Sequence, residues 1–405
     1  MTPAPPPMTV CDLTHAYHGT SGGIRTYVDA KRRYVLDHTE HRHALVVPGP
    51  EDARESGERW DTVQIRCPTI PGAAPYRWFA RSGPAAAALV DVGSTSVELG
   101  TYYMPAEARA AFAARTAALG QGRTCVVSAH IHTDFPRSYA QTYTERAFGP
   151  ALGERFGTLA ERYAREVLNR CDFVITLSPQ FRDRVRAMGV ERVIMAPQGV
   201  DLDQFGPHRA DPAVRAEFGV ADGSPLLLYS GRFDSEKHVD VLVEAFDRLP
   251  PGLGAVLVMI GEGPKRDELA AAAEARPGLH VLPYQSDKAR VAALLATADV
   301  YVTAGPYEVY AFSVVEAQAS GTAVVGVRAG GLVSRVPEGL GFLVPVGDAE
   351  AFAARIQDAF RVHREMGAAA RRHAEARYSW AATFGPILAE TGRALDRQRA
   401  AHARP

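Results

Sequence analysis

Two glutamates, Glu308 and Glu316, carry the most pointed chemistry in the 405-residue sequence. Glu308 falls in a loop after a predicted strand, and Glu316 lies eight residues on, inside the following helix. That helix is expected to begin near Ala311, so the amides of Ala311, Phe312 and Ser313 have no intrahelical partner. A loop carboxylate beside such amides can hold sugar hydroxyls and a phosphate together. A helix carboxylate two turns deeper can accept both hydroxyls of a vicinal diol. An exposed helix position is the plainer reading of Glu316 taken alone. Its neighbours Val314, Val315, Ala317 and Ala319 are apolar, however, and a carboxylate buried among them needs a partner.

A second constellation lies in YSGRFDSEKHVDVLVEAF (229–246). A strand ends at Ser230, Gly231 allows a tight exit, Arg232 follows, and Lys237 opens the next helix. A guanidinium fork and an ammonium point charge at one strand end can clamp a diphosphate. A surface Arg and Lys on a βα loop is the alternative. Only four of the 45 basic residues are lysines (Lys31, Lys237, Lys265, Lys288), so Lys237 is less readily dismissed as surface decoration. Gly22 and Gly23 sit between a strand and a helix, where backbone amides approach an anion and the helix start is partly positive. Packing alone explains such a turn equally well. The Gly-x-Gly of MIGEGPKRDEL (259–269) lacks the third glycine of a dinucleotide fingerprint and has Pro264 at its helix start, so a tight turn suffices.

In SAHIHTDFPRSY (128–139), His130 and His132 follow a strand, at the end where α/β proteins place ligands. Zinc would need a third ligand, and none is evident. Structural capping of the strand end is the other reading for both. His38, His41 and His43 read as a solvated loop, and Lys31-Arg32-Arg33 as a solvated helix face.

These groups need a scaffold of alternating strands and helices. Strands are predicted at 9–14, 43–47, 124–130, 172–178 and 192–197, with a helix after the first glycine turn and an amphipathic helix over Leu152–Arg170. Residues 50–105, rich in glycine, proline and arginine, show no readable order. The alternation restarts after PQGVDLDQFGP (197–207), with strands at 225–232, 255–261, 279–284, 299–304 and 322–327 and helices between them. The result is an α/β chain with parallel sheets, in domains 1–200 and 201–379 and a C-terminal helix over 380–405.

Composition narrows the function. Forty-five basic and 46 acidic residues give a net charge of −1, without the basic body of a nucleic-acid binder. No apolar run is long enough to span a membrane and the proline-rich start is not a signal peptide, so the expected location is cytoplasmic. Cys11, Cys67, Cys125 and Cys171 have no metal spacing and read as buried free thiols.

In this order, the Gly-Gly turn, GRFDSEK, GEGP, the Glu-x7-Glu block, ASGTAVV and a second Gly-Gly resemble glycosyltransferase family four, over residues 9–385. The resemblance implies the GT-B fold, two Rossmann-like domains with parallel sheets facing a central cleft. It implies retaining transfer from a nucleotide-diphosphate sugar, UDP- or GDP-linked, to an acceptor; a soluble small metabolite or natural product is favoured, because Lys31-Arg32-Arg33 is no basic amphipathic helix, and a lipid or glycan acceptor stays open. Arg232 and Lys237 would then hold the diphosphate, Glu316 the ribose, Glu308 the transferred sugar, and Gly22 and Gly23 would close over the phosphates. Tyr284 would meet the nucleobase, and His132 would lie near the anomeric carbon. The helix after Trp380 would return to the N-terminal domain. No cofactor is expected, and no metal, because Arg232 and Lys237 can neutralise the leaving group and the sequence is read as lacking the Asp-x-Asp motif of a metal-bridged diphosphate. His238 and Ala311 stand where the family more often has glycine. The rival readings are an epimerase or hydrolase on the same architecture, which would consume donor without acceptor, and a non-catalytic sugar-nucleotide sensor.

Overall fold

The computed structural model describes residues 6–18, 23–71, 76–308 and 310–402, without the side chains of residues 138 and 146. The chain divides into two compact units. One comprises residues 1–198 and 380–405, the other residues 199–379.

The first unit is built on eight strands: β1 (Thr9–Leu13), β2 (Arg42–Gly49), β3 (Ala53–Ser56), β4 (Trp60–Arg66), β5 (Ser96–Leu99), β6 (Val126–His130), β7 (Phe173–Thr176) and β8 (Val193–Met195). Their order is β3-β4-β2-β1-β5-β6-β7-β8, parallel throughout except for the antiparallel edge pair β3–β4. The central strands are short, mostly apolar runs with a few buried polar residues such as Asp12, Ser128 and His130, buried on both faces because helices cover each side. The 50–105 region, unreadable in sequence, supplies β3, β4, β5 and a helix over Ser82–Asp91. The helix Trp380–His402 packs on this unit, stacking Phe384 between Trp380 and the rings of Tyr27 and Tyr34.

The second unit is a six-stranded, wholly parallel sheet: β9 (Leu226–Ser230), β10 (Val256–Ile260), β11 (Leu279–Leu282), β12 (Val300–Thr303), β13 (Ala323–Val327) and β14 (Gly341–Val344). The order is β11-β10-β9-β12-β13-β14. Ser230 registers with Ile260, and Ile260 with Leu282, so the exits of β9, β10 and β11 lie side by side. No helix among the described residues is long and apolar enough to cross a membrane. All four cysteines are buried and free.

Two expectations about the first unit need correction. Lys31 is not on a solvated face: it is 2% exposed, with Nζ 2.6 Å from Asp12 Oδ1 and 2.8 Å from Glu98 Oε2. Asp12 and Glu98 sit in register on β1 and β5, and one ammonium serves both carboxylates. His43 is likewise buried on β2, with Nε2 2.8 Å from Asp12 Oδ2. A buried carboxylate pair demands such partners.

Candidate functional site

In the second unit, the strand exits create the site. Beyond β9, Gly231 and Gly261 approach so closely that a Cβ on Gly261 would lie 1.8 Å from the Gly231 carbonyl oxygen. Only glycine fits there. The loop is held from beneath by two buried tyrosines. Tyr229 donates its hydroxyl to the Arg232 carbonyl (2.9 Å), and Tyr301 donates to the Ser230 carbonyl (3.0 Å). Arg232, Tyr284 and Glu262 line one pocket of about 210 Å³ over these exits. The expected diphosphate and nucleobase residues therefore share a wall. Tyr284 is 70% exposed, leaving its ring face open to stacking. Arg232 reaches into solvent, with Asp234 at 3.1 Å and Glu236 at 3.4 Å.

Lys237 and Glu308 meet directly, Nζ to Oε1 at 2.5 Å, although 71 residues separate them. Each is one-fifth exposed, so the pair faces solvent on one side only. Gly305 leaves room for the lysine stem: a Cβ there would lie 3.3 Å from Lys237 Cδ. The Glu308 backbone is fixed by the second Gly-Gly pair. Gly331 donates its N–H to the Glu308 carbonyl, and Gly330 has φ +52° in a position where a Cβ would strike that carbonyl at 2.6 Å. The glycines thus set where the carboxylate stands.

The helix beyond Glu308 runs Phe312–Ala319. Its first described internal bond is Val314 N–H to the Ala311 carbonyl, which leaves the amides of Ala311, Phe312 and Ser313 ahead of the ladder. Ala311 at its cap has φ +60°, and His238 at the cap of helix Val239–Asp247 has φ +48°. These are the two non-glycine residues with positive φ among the described residues. They are also the two positions singled out in the sequence as replacing glycine. The chain keeps the left-handed turns and bears the Cβ strain.

Glu316 is half-buried, and no side chain among the described residues pairs with it. Burial pushes its carboxyl up to about 7, with Lys288 pulling weakly the other way. An unpaired carboxylate in such surroundings is set to receive hydroxyl donors.

In the first unit, His132 follows β6 and is enclosed. Gln198 Nε2 lies 3.1 Å from its Nδ1, His130 stacks on it at 4.0 Å, and Nε2 has no protein partner among the described residues. Burial, with His130 beside it, holds the imidazole well below its ordinary value, so it is neutral near pH 7. His130 is spoken for by Glu98, 3.2 Å from its Nδ1. Gly23 starts the helix Gly23–His38, whereas Gly22 lies outside the described residues. The expectation that no Asp-x-Asp motif is present needs correction, since one occurs at Asp201-Leu202-Asp203. There Asp201 Oδ1 accepts the N–H groups of Asp203 (3.1 Å) and Gln204 (2.9 Å), shaping a turn. Tyr229, Tyr301 and Glu262 were missed in sequence. Only the Glu in GEGP, one residue past a strand, offered a local sign.

Family models match both units: "Glycosyl transferase 4-like domain" over residues 22–199 and "Glycosyl transferases group 1" over residues 211–376. A GDP-mannose-dependent α-(1-6)-phosphatidylinositol dimannoside mannosyltransferase of Mycobacterium tuberculosis is 30% identical over 396 residues, covering 95% of this chain and 96% of that one. The chain belongs to glycosyltransferase family four. A D-inositol 3-phosphate glycosyltransferase of Mycolicibacterium smegmatis is 34% identical, over 53% of this transferase and 50% of its own length. Among solved structures, sucrose-phosphate synthase from Thermosynechococcus elongatus superposes with a TM-score of 0.73 at 21% identity, covering 98% of this chain and all of that one. At that identity the likeness shows the fold, and the fold of this transferase is GT-B, α/β with two parallel-sheet domains.

Proposed function

We propose that this glycosyltransferase moves mannose from GDP-mannose to an acceptor hydroxyl with retention at the anomeric carbon, without a metal. The observation that carries the reading is the meeting of Lys237 and Glu308 beside the pocket of Arg232 and Tyr284. Lys237 and Arg232 would take the diphosphate, with the amides at 311–313 supplementing them as charge develops on the leaving group. Glu308, released from Lys237, would accept the sugar's hydroxyls, and Glu316 those of the ribose. The leaving phosphate oxygen can itself accept the acceptor's proton on the same face of the sugar, so the product keeps the donor's configuration. Neutral His132 would lie near the anomeric carbon and orient the sugar by its backbone or ring. The full-length relative, named for GDP-mannose and an α-(1-6) product, supports the nucleotide and the stereochemistry. All the relatives named above are transferases, which favours neither the epimerase nor the sensor. Four unpaired thiols suit a reducing compartment such as the cytoplasm.

A thermal-shift comparison of GDP, UDP, ADP and dTDP tests the nucleotide, because a bound ligand raises apparent stability by mass action. GDP should give the largest shift, and a larger shift with UDP would overturn the base assignment. The one-bond carbon–proton coupling at the anomeric centre of the product should report an α linkage, with turnover unchanged in excess chelator. A β linkage or loss on chelation would contradict the mechanism.

A further inference from the structure

A buried arginine braces the loop between Glu308 and the Phe312–Ala319 helix from the protein side. Arg335 ends the short helix Leu332–Arg335, just past the second Gly-Gly pair. Arg335, Tyr310 and Tyr378 are each 3% exposed. The guanidinium packs on both tyrosine rings, with Cζ 4.0 Å from the centroid of Tyr310 and 5.0 Å from that of Tyr378. Its Nε donates to the Tyr310 carbonyl (3.3 Å) and its Nη1 to the Tyr378 hydroxyl (3.0 Å). Tyr378 is fixed in turn. Its N–H donates to the Ala374 carbonyl (2.8 Å), and its own carbonyl accepts the Val200 N–H (2.8 Å). One rigid planar fork thus ties the backbone of Tyr310 to the end of helix Ala349–Arg377.

The point it holds is the strained one. Tyr310 directly precedes Ala311, whose φ of +60° costs an alanine energy that a glycine would not spend. Backbone strain of this kind persists only where the surroundings fix it. The backbone of Arg335 meets the same loop from the other end. Gly331 gives its N–H to the Glu308 carbonyl, and the Gly331 carbonyl accepts the Arg335 N–H (3.2 Å). The Arg335 carbonyl in turn accepts Nε2 of Gln318 (2.6 Å), on the helix of Glu316. The main chain at Arg335 therefore registers both glutamates, and its side chain registers the turn between them. A buried guanidinium is a costly way to fill space beside two rings, and an apolar side chain of similar volume commonly serves a fold as well. What an apolar side chain lacks is the N–H that meets the Tyr310 carbonyl.

We propose that Arg335 is a positioning residue for the transferred sugar: its guanidinium holds the Tyr310–Ala311 turn in its left-handed form and thereby sets the Glu308 carboxylate against the sugar's hydroxyls. This rests on the transferase reading above. The ribose end stays as it is when the side chain changes, because Gln318 bonds to a main-chain carbonyl that every residue at 335 supplies. Calorimetric titration of the full chain with GDP and with GDP-mannose separates the two ends. Arg335→Met should lose about tenfold in affinity for GDP-mannose, the worth of one charge-assisted contact, and bind GDP as the native chain does. Tyr378→Phe, which removes only a hydroxyl, should lose about threefold, again for GDP-mannose alone, and carries the comparison if Arg335→Met does not fold. In a Glu308→Ala background Arg335→Met should add no further loss, because it acts through that carboxylate. Equal losses for both ligands would reduce Arg335 to a support of the fold and overturn the proposal. Native affinity for GDP-mannose in Arg335→Met or in Tyr378→Phe, or a further loss in the Glu308→Ala background, would also overturn it. Failure of the donor reading would show separately, as a native chain that binds neither ligand.

Discussion

Glu316 is where function and stability oppose each other most plainly. Its carboxyl ionises near the ordinary value of 4.5 in the unfolded chain but only at about 7 in the folded one. The unfolded chain therefore gives up the proton first, and the folded state loses stability as pH rises through that window. Glu316→Gln should raise the melting temperature at pH 8 and leave it nearly unchanged at pH 4. A gain of the same size at both pH values would show that the carboxyl is not held in its neutral form. This conflict was half legible: the apolar neighbours announced a buried acid in need of a partner, but not that no protein side chain among the described residues would meet it. The Lys237–Glu308 contact was less legible still. Each residue was marked as functional, yet nothing local says that an ammonium at the exit of β9 and a carboxylate beyond β12 touch. Adjacency of those two strands in the sheet brings them together.

At the scale of elements, the second unit was the readable one. Its strands are runs such as Leu226-Leu227-Leu228 and Val256–Ile260, buried on both faces, and such runs stand out against the helices that separate them. β3 and β4 offer no such contrast. Ala53–Ser56 is fully exposed at a sheet edge, and Trp60–Arg66 buries few of its residues. Lys31 misled for a related reason: its two carboxylate partners come from β1 and β5, far apart in sequence, so three consecutive cations looked like a wet surface. The caps at His238 and Ala311 invite a direct test. A left-handed alanine costs roughly 1 kcal/mol, while glycine loosens the unfolded chain by about 0.4–1 kcal/mol. Ala311→Gly should therefore leave stability unchanged or raise it by up to about 1 kcal/mol, whereas Ala317→Gly, inside the same helix, should cost about 1 kcal/mol or more. Equal losses in denaturant melts would rule out the left-handed turn.

At the scale of the whole molecule, the residues proposed for the donor, Arg232, Lys237, Glu308 and Glu316, all fall within residues 199–379. The donor site itself is tested most directly by calorimetric titration of GDP into the native protein and into Lys237→Ala, Glu316→Ala and Glu308→Ala. Charge-assisted hydrogen bonds contribute about 1.5–3 kcal/mol each. The first two variants should lose about tenfold or more in affinity, while Glu308→Ala should bind GDP as the native protein does and fail only in turnover. Native affinity in both Lys237→Ala and Glu316→Ala would contradict the account.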